Sequence, residues 1–232
     1  MATATGDTPD GRHLLLCRLP PGRGQTRLAA AVLAVLLAAL LAAVPFARVP
    51  LSGSAALLPA YATAVLLNEA ITATLLFTIY AIERSLALLA LAAGYLFSAL
   101  MIVPWALTFP GVFAPGGLFD PGLQGTAVIA AVRRLGFPLF ILVYALVEES
   151  GPPAEGPRPA AWPVVGAAVA AVVATVSALT WLVVANDAAL PRLMVDRETV
   201  AALWTSVPAG AAALSGAALV ALARRQIGRA HV

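Results

Sequence analysis

Three ionisable side chains stand inside long apolar runs: Glu69, Arg133 and Arg134. A charge in the hydrocarbon core is costly, so such residues are candidates for ion or proton sites, ligand counter-ions or ion pairs. Glu69 follows Asn68 in the middle of one run, and the two arginines share the middle of another. Counted inward at about 1.5 Å per residue, Glu69 lies roughly 18 Å and Arg134 roughly 15 Å from the outer ends of their helices. These depths match well enough for Glu69 to pair with Arg133 or Arg134. The competing use of the arginines is to snorkel toward the membrane surface. Tyr61, Asn68 and Thr72 recur at i, i+7 and i+11 and so share one helix face. That face either lines a small-ligand site or bonds a neighbouring helix, and interhelical bonding is the commoner use.

Other chemistry lacks its residues. The two histidines, His13 and His231, sit near the ends of the chain, so bis-histidine haem ligation within a bundle has no ligands. Cys17 is the single cysteine, which makes no internal disulfide and has no metal-ligand spacing around it. No nucleotide-binding loop, Ser/His/Asp set or metal-ligand spacing occurs. The expectation is a protein without catalytic residues, metal or cofactor.

The elements that must position these residues are membrane spans. The chain has 232 residues, of which 61% are hydrophobic and 11% charged. Its mean hydropathy is +0.93. A soluble domain carries roughly 25% charged residues, so too few are present here to cover a water-facing surface. Six apolar runs approach the ~20 residues needed to cross a bilayer. They are Leu28–Phe46, Leu57–Ile82, Leu86–Leu107, Gly125–Val147, Trp162–Ala185 and Trp204–Ala223. The first is too long for the ~7–15-residue core of a signal peptide. The fold class expected is an all-α polytopic transmembrane bundle of six spans. Its domains are a disordered cytoplasmic arm (1–26), an integral membrane domain (27–224) and a short cytoplasmic tail (225–232).

All 14 basic residues are arginine. With the N-terminus inside, nine lie in cytoplasmic segments and three (Arg48, Arg192, Arg197) outside, which places both termini in the cytoplasm. The pI near 9.6 is therefore the signature of membrane orientation; no basic, aromatic-interleaved patch suggests nucleic acid. The three-residue link Glu83-Arg84-Ser85 predicts a tight hairpin of helices two and three. The Gly- and Pro-rich loop after Phe109 cannot be helical throughout, and its Phe side chains are expected in the membrane interface. Helices five and six carry small residues at every fourth position, Gly166/Ala170/Ala174/Ala178 and Ala209/Ala213/Ala217/Ala221, a pattern that allows close helix packing.

Several short stretches share residues and spacing with one known family. They are Pro45-Phe46-Ala47, Ile71-Thr72-Ala73, Leu75-Leu76-Phe77, Arg84-Ser85 and Gly94-Tyr95-Leu96-Phe97, followed by Ala106-Leu107-Thr108-Phe109-Pro110-Gly111, Gly136-Phe137-Pro138 and Tyr144-Ala145-Leu146. Over residues 45–146 the chain resembles the membrane-associated sensor domain, type four of the MASE series. Beyond that the likeness is one of helix layout and of Leu190-Pro191-x-Leu193. The resemblance implies an input module of the bacterial inner membrane, non-catalytic itself, that relays a stimulus to a histidine kinase or diguanylate cyclase. Its partners would be the lipid bilayer, a second copy of the chain and a separately encoded output protein. The output domain and the further membrane helices usual after helix six are absent from the sequence, which is expected of a separate subunit or a truncated remnant. The resemblance implies histidines, common in the family, just before Ala-Leu-Thr-Phe-Pro-Gly and Leu-Gly-Phe-Pro; here those positions are Trp105 and Arg134. The signal site expected is an outer cavity near Trp105, Phe109, Gly111 and Gln124, coupled to Glu69 and Arg134. The alternative is a small permease that uses Glu69 as its ion or proton site.

Overall fold

The computed structural model describes residues 22–46, 57–119, 121–147, 160–196 and 199–230. Cys17, His13, His231 and most of the arm 1–26 lie outside these residues. Among the described residues six α-helices form: α1 (Arg23–Ala43), α2 (Leu57–Glu83), α3 (Leu86–Thr108), α4 (Gly122–Leu146), α5 (Trp162–Ala185) and α6 (Ser206–Ala230). Among the described residues there is no strand, only an isolated antiparallel bridge between Met194 and Val200. All six helical stretches are long and apolar enough to cross a membrane.

Two ends differ from the sequence expectation. Helix α1 starts at Arg23, inside the arm, because the Gln25 side chain turns back to accept from the Gly22 backbone N–H at 3.1 Å and closes the first turn. Helix α6 runs on to Ala230, so residues 225–230 of the expected tail are helical. Arg, Gln and Ala in that stretch are strong helix formers, and no proline stops it.

The chain divides into two compact units, residues 1–52 and 53–232. In the first, every described residue of α1 and of the 3₁₀ turn Val44–Phe46 is exposed. A helix apolar all round is suited to lipid.

In the second unit α3 is central, packed against α2, α4 and α5, while α6 lies on α4. The α2–α3 link is as short as its sequence suggests. Arg84 takes a left-handed conformation (φ 58°) and donates its backbone N–H to Tyr80 O at 2.8 Å, ending α2. Ser85 then caps α3 by accepting from Leu88 N.

Two stretches quoted above interlock at the α3–α4 contact. A Cβ on Gly94 would lie 2.5 Å from Phe140 Cβ, and one on Gly136 would overlap the Phe97 ring. Each glycine is thus the seat for the other helix's phenylalanine. The Phe97 and Phe140 rings lie 5.6 Å apart, and Tyr95 meets Phe137 edge-on at 4.9 Å. Without a hydrophobic drive between helices in lipid, close contact of this kind is a main source of cohesion.

The small-residue stripes of α5 and α6 do not serve that purpose within the chain. Gly166, Ala170, Ala174 and Ala178 are exposed, as are Ala209, Ala213 and Ala217, with Ala221 half-buried. Helix α5 instead buries Val165, Val172, Val176 and Val183, whose branched side chains fill the space against α3. Bulky residues such as Leu67, Ile71, Leu139 and Trp181 face outward. That exposure has no cost where the solvent is lipid.

Candidate functional site

Glu69, Ser98 and Arg133 come together from α2, α3 and α4. Arg133 Nη2 donates to Glu69 Oε1 at 3.0 Å, and Ser98 Oγ donates to the same oxygen at 3.0 Å. Arg133 Nε donates to the Ser98 carbonyl at 3.2 Å. The ion-pair side chains are only 17–18% exposed. Three helices are therefore tied at one depth, with a charge of each sign neutralised in place. Glu69 Oε2 is buried with no hydrogen-bond partner among the described residues. Of the two arginines available to Glu69, the fold selects Arg133. Ser98 went unnoticed in the sequence, where a serine four residues after Gly94 gives only a weak sign of a buried helix face.

Arg134 takes a different course. It is exposed, and its guanidinium lies 5.5 Å from the centre of the Trp204 ring. Trp204 sits in the 3₁₀ turn Ala202–Thr205 that leads into α6. No carboxylate among the described residues reaches Arg134.

The end of the unit that carries the loop after α3 and the segment between α5 and α6 holds a cavity of about 390 Å³. Trp105, Phe109 and Gly111 form one wall, Ala127, Ala130 and Arg134 of α4 another, and Met194 and Trp204 close a third side. A second hollow of about 540 Å³ lies across the shared Trp105–Phe109–Gly111 wall, against Leu57 and Tyr61. Trp105 stands edge-on to both Phe109 (5.5 Å) and Tyr61 (6.2 Å). Trp105 and Arg134, the positions where the family resemblance places histidine, line the same cavity.

The loop that forms this wall is tightly fixed. Gly117 has φ +87°, and a Cβ there would overlap the Thr108 carbonyl oxygen. That same oxygen accepts from Thr126 Oγ1 of α4 at 2.8 Å, and Leu118 N donates to Leu107 O at 2.7 Å. Phe113 and Phe119 project outward, 57% and 61% exposed.

Gln124 does something other than line the cavity. Its Oε1 accepts from Leu193 N (2.7 Å) and Met194 N (3.0 Å), and its Nε2 donates to Met194 O (2.8 Å). It clamps the α5–α6 segment onto α4, and that clamp holds Met194 at the cavity. Its partners lie 69 and 70 residues away, beyond the reach of any local pattern.

The polar face of α2 also differs from expectation. Thr72 Oγ1 donates to the Asn68 carbonyl of its own helix at 2.8 Å. Tyr61 and Asn68 are exposed, and no interhelical hydrogen bond from these three side chains occurs among the described residues. A hydroxyl can satisfy itself on its own helix's carbonyl four residues back, which removes the need for a neighbour.

Six apolar spans, a buried ion pair at mid-depth and an aromatic cavity at one end define a multi-pass integral membrane protein. Residues 53–228 match the family model MASE4, described as a membrane-associated sensor, integral membrane domain, and the chain belongs to that family. The match extends past residue 146 through α5 and most of α6 and begins after α1. No curated protein and no solved structure matches the chain.

Proposed function

We propose that the chain is the membrane input of a bacterial signalling system, relaying a stimulus to a cytoplasmic signalling output. It sits in the inner membrane with both termini inside, so the cavity opens toward the outer face. The observation that carries this reading is a cavity whose walls belong to α3, α4 and the segment entering α6. A stimulus that binds there has different contacts when these elements shift, as a sensor requires. The Glu69–Ser98–Arg133 tie lies below the cavity on α2, α3 and α4 and fixes their mutual depth. The chain supplies no catalysis in this reading; a histidine kinase or diguanylate cyclase and a second copy of the chain complete the system.

The test is a fusion of residues 1–232 to a diguanylate cyclase domain in cells. Trp105→Ala should change cyclic di-GMP output severalfold at equal membrane abundance. Output that follows neither growth conditions nor cavity variants overturns the reading. The partnerless Glu69 Oε2 favours a second one, a small permease with Glu69 as its ion or proton site. A Glu69→Gln protein that folds but loses substrate flux in vesicles distinguishes it.

A further inference from the structure

Building on that sensory reading, we propose that the 390 Å³ cavity binds an elongated organic monoanion, a single carboxylate on an apolar body, with its charge on Arg134. Charge is the first reason. Arg133 is consumed by Glu69, whereas Arg134 has no acidic partner among the described residues. Its guanidinium carbon lies over the Trp204 ring at 5.5 Å, and a guanidinium carries paired N–H donors that suit a planar, bidentate acceptor. One guanidinium neutralises one negative charge, which suits a carboxylate better than a doubly charged phosphate monoester.

Shape is the second reason. The α4 wall runs from Leu123 to Arg134, roughly 16 Å of helix rise. An occupant that lies along this stretch of α4 is elongated. The volume is near the lower end of small-molecule sites, which fits one chain rather than the two of a phospholipid. The space itself comes from the short side chains of Ala127 and Ala130.

Polarity is the third. The Thr126 hydroxyl is spent on the Thr108 carbonyl, and both ends of the Gln124 amide are engaged with the α5–α6 segment. Apart from Arg134, no side chain of the walls is charged, so the ligand has one charged end only.

Two of the four tryptophans, Trp105 and Trp204, line the cavity, which provides a direct readout. The full chain carrying Trp162→Phe and Trp181→Phe, both at exposed positions, is placed in phosphatidylcholine nanodiscs. It is titrated with 12-bromododecanoate, a heavy-atom quencher, and with its methyl ester. The acid should quench saturably and at least about tenfold more tightly than the ester. Arg134→Gln should weaken the acid by about tenfold or more, and Arg134→Lys, which keeps the charge and loses the bidentate fork, should fall between Arg134→Gln and the parent. Thermal unfolding of each variant checks that it is folded. Equal quenching by acid and ester, or an Arg134→Gln protein that titrates like its parent, overturns the proposal. Saturable quenching by brominated phosphatidylglycerol in preference to the acid also overturns it, since the occupant is then a membrane lipid. Tight binding with a flat cyclase-fusion output counts against the sensory reading alone. A responsive fusion without acid binding counts against the anion alone.

Discussion

Arg133 and Arg134 are neighbours in sequence and opposites in setting. Arg133 sits among three helices with its guanidinium shared between Glu69 and the Ser98 carbonyl. Arg134 lines the cavity at the loop end, its guanidinium 5.5 Å from the centre of the Trp204 ring. The first region is closed, its charges cancelled at a depth where water is scarce. The second is open, its charge left for something else. A mid-membrane charge that is fully partnered fixes a structure; one left unpartnered beside a cavity offers a site. The contrast separates cohesion from recognition within two consecutive residues.

The sharpest way to break this contrast is Arg133→Ala. It strands a buried carboxylate, and removing one partner of a buried pair costs about 3 kcal/mol or more. Reversible unfolding in mild detergent should show that loss, and adding Glu69→Gln should recover a large part of it. No recovery in the double variant would mean that the pair is not the tie between α2 and α4.

Gly117→Ala attacks the wall of the open region. It places a Cβ against the Thr108 carbonyl at a positive φ, and strain of this kind costs about 1–3 kcal/mol. The expected result is a lower unfolding midpoint together with altered Trp105 emission. An unchanged midpoint would show that the loop yields freely and that the wall is not fixed.

Gln124→Ala removes the acceptor for two backbone N–H groups, at about 1 kcal/mol each. Its effect should be local. Amide exchange at Leu193 and Met194 should accelerate while α2 and α3 remain protected. Uniform acceleration across the bundle would mean that the clamp supports the whole fold rather than the cavity.

The smallest effect belongs to Arg134→Gln. It loses an exposed cation–π contact worth about 0.5–1 kcal/mol, so the unfolding midpoint should move little. A destabilisation as large as that of Arg133→Ala would erase the distinction between the two arginines.

Much of the architecture follows from one-dimensional information. A bilayer needs about 20 apolar residues per helix, so the spans announce themselves in composition, and all six expected starts fall within five residues of the observed ones. The exception in character is α6, which is entered through the 3₁₀ turn at Trp204 and runs on past Ala223. Apolar periodicity weakens at helix ends, where capping by Gln25 or the absence of a breaker decides the boundary. The Trp105–Phe109–Gly111 wall was legible because it surrounds a loop too rich in glycine and proline to be helical. Gln124 was legible as a polar residue near that loop, but its partners on the α5–α6 segment were not.

What the sequence determined by itself is the solvent and the depth: six lipid-compatible helices, with Glu69 and the arginine pair at levels that let them meet. What the tertiary structure decided is which arginine meets Glu69. Successive residues of a helix point about 100° apart, so a rotation of α4 by about that angle would exchange the roles of Arg133 and Arg134. That rotation is set by the seats at Gly94 and Gly136, where Phe140 and Phe97 enter the facing helix. The same packing left the stripes of α5 and α6 outside, because branched valines filled the interior face that the small residues could also have occupied.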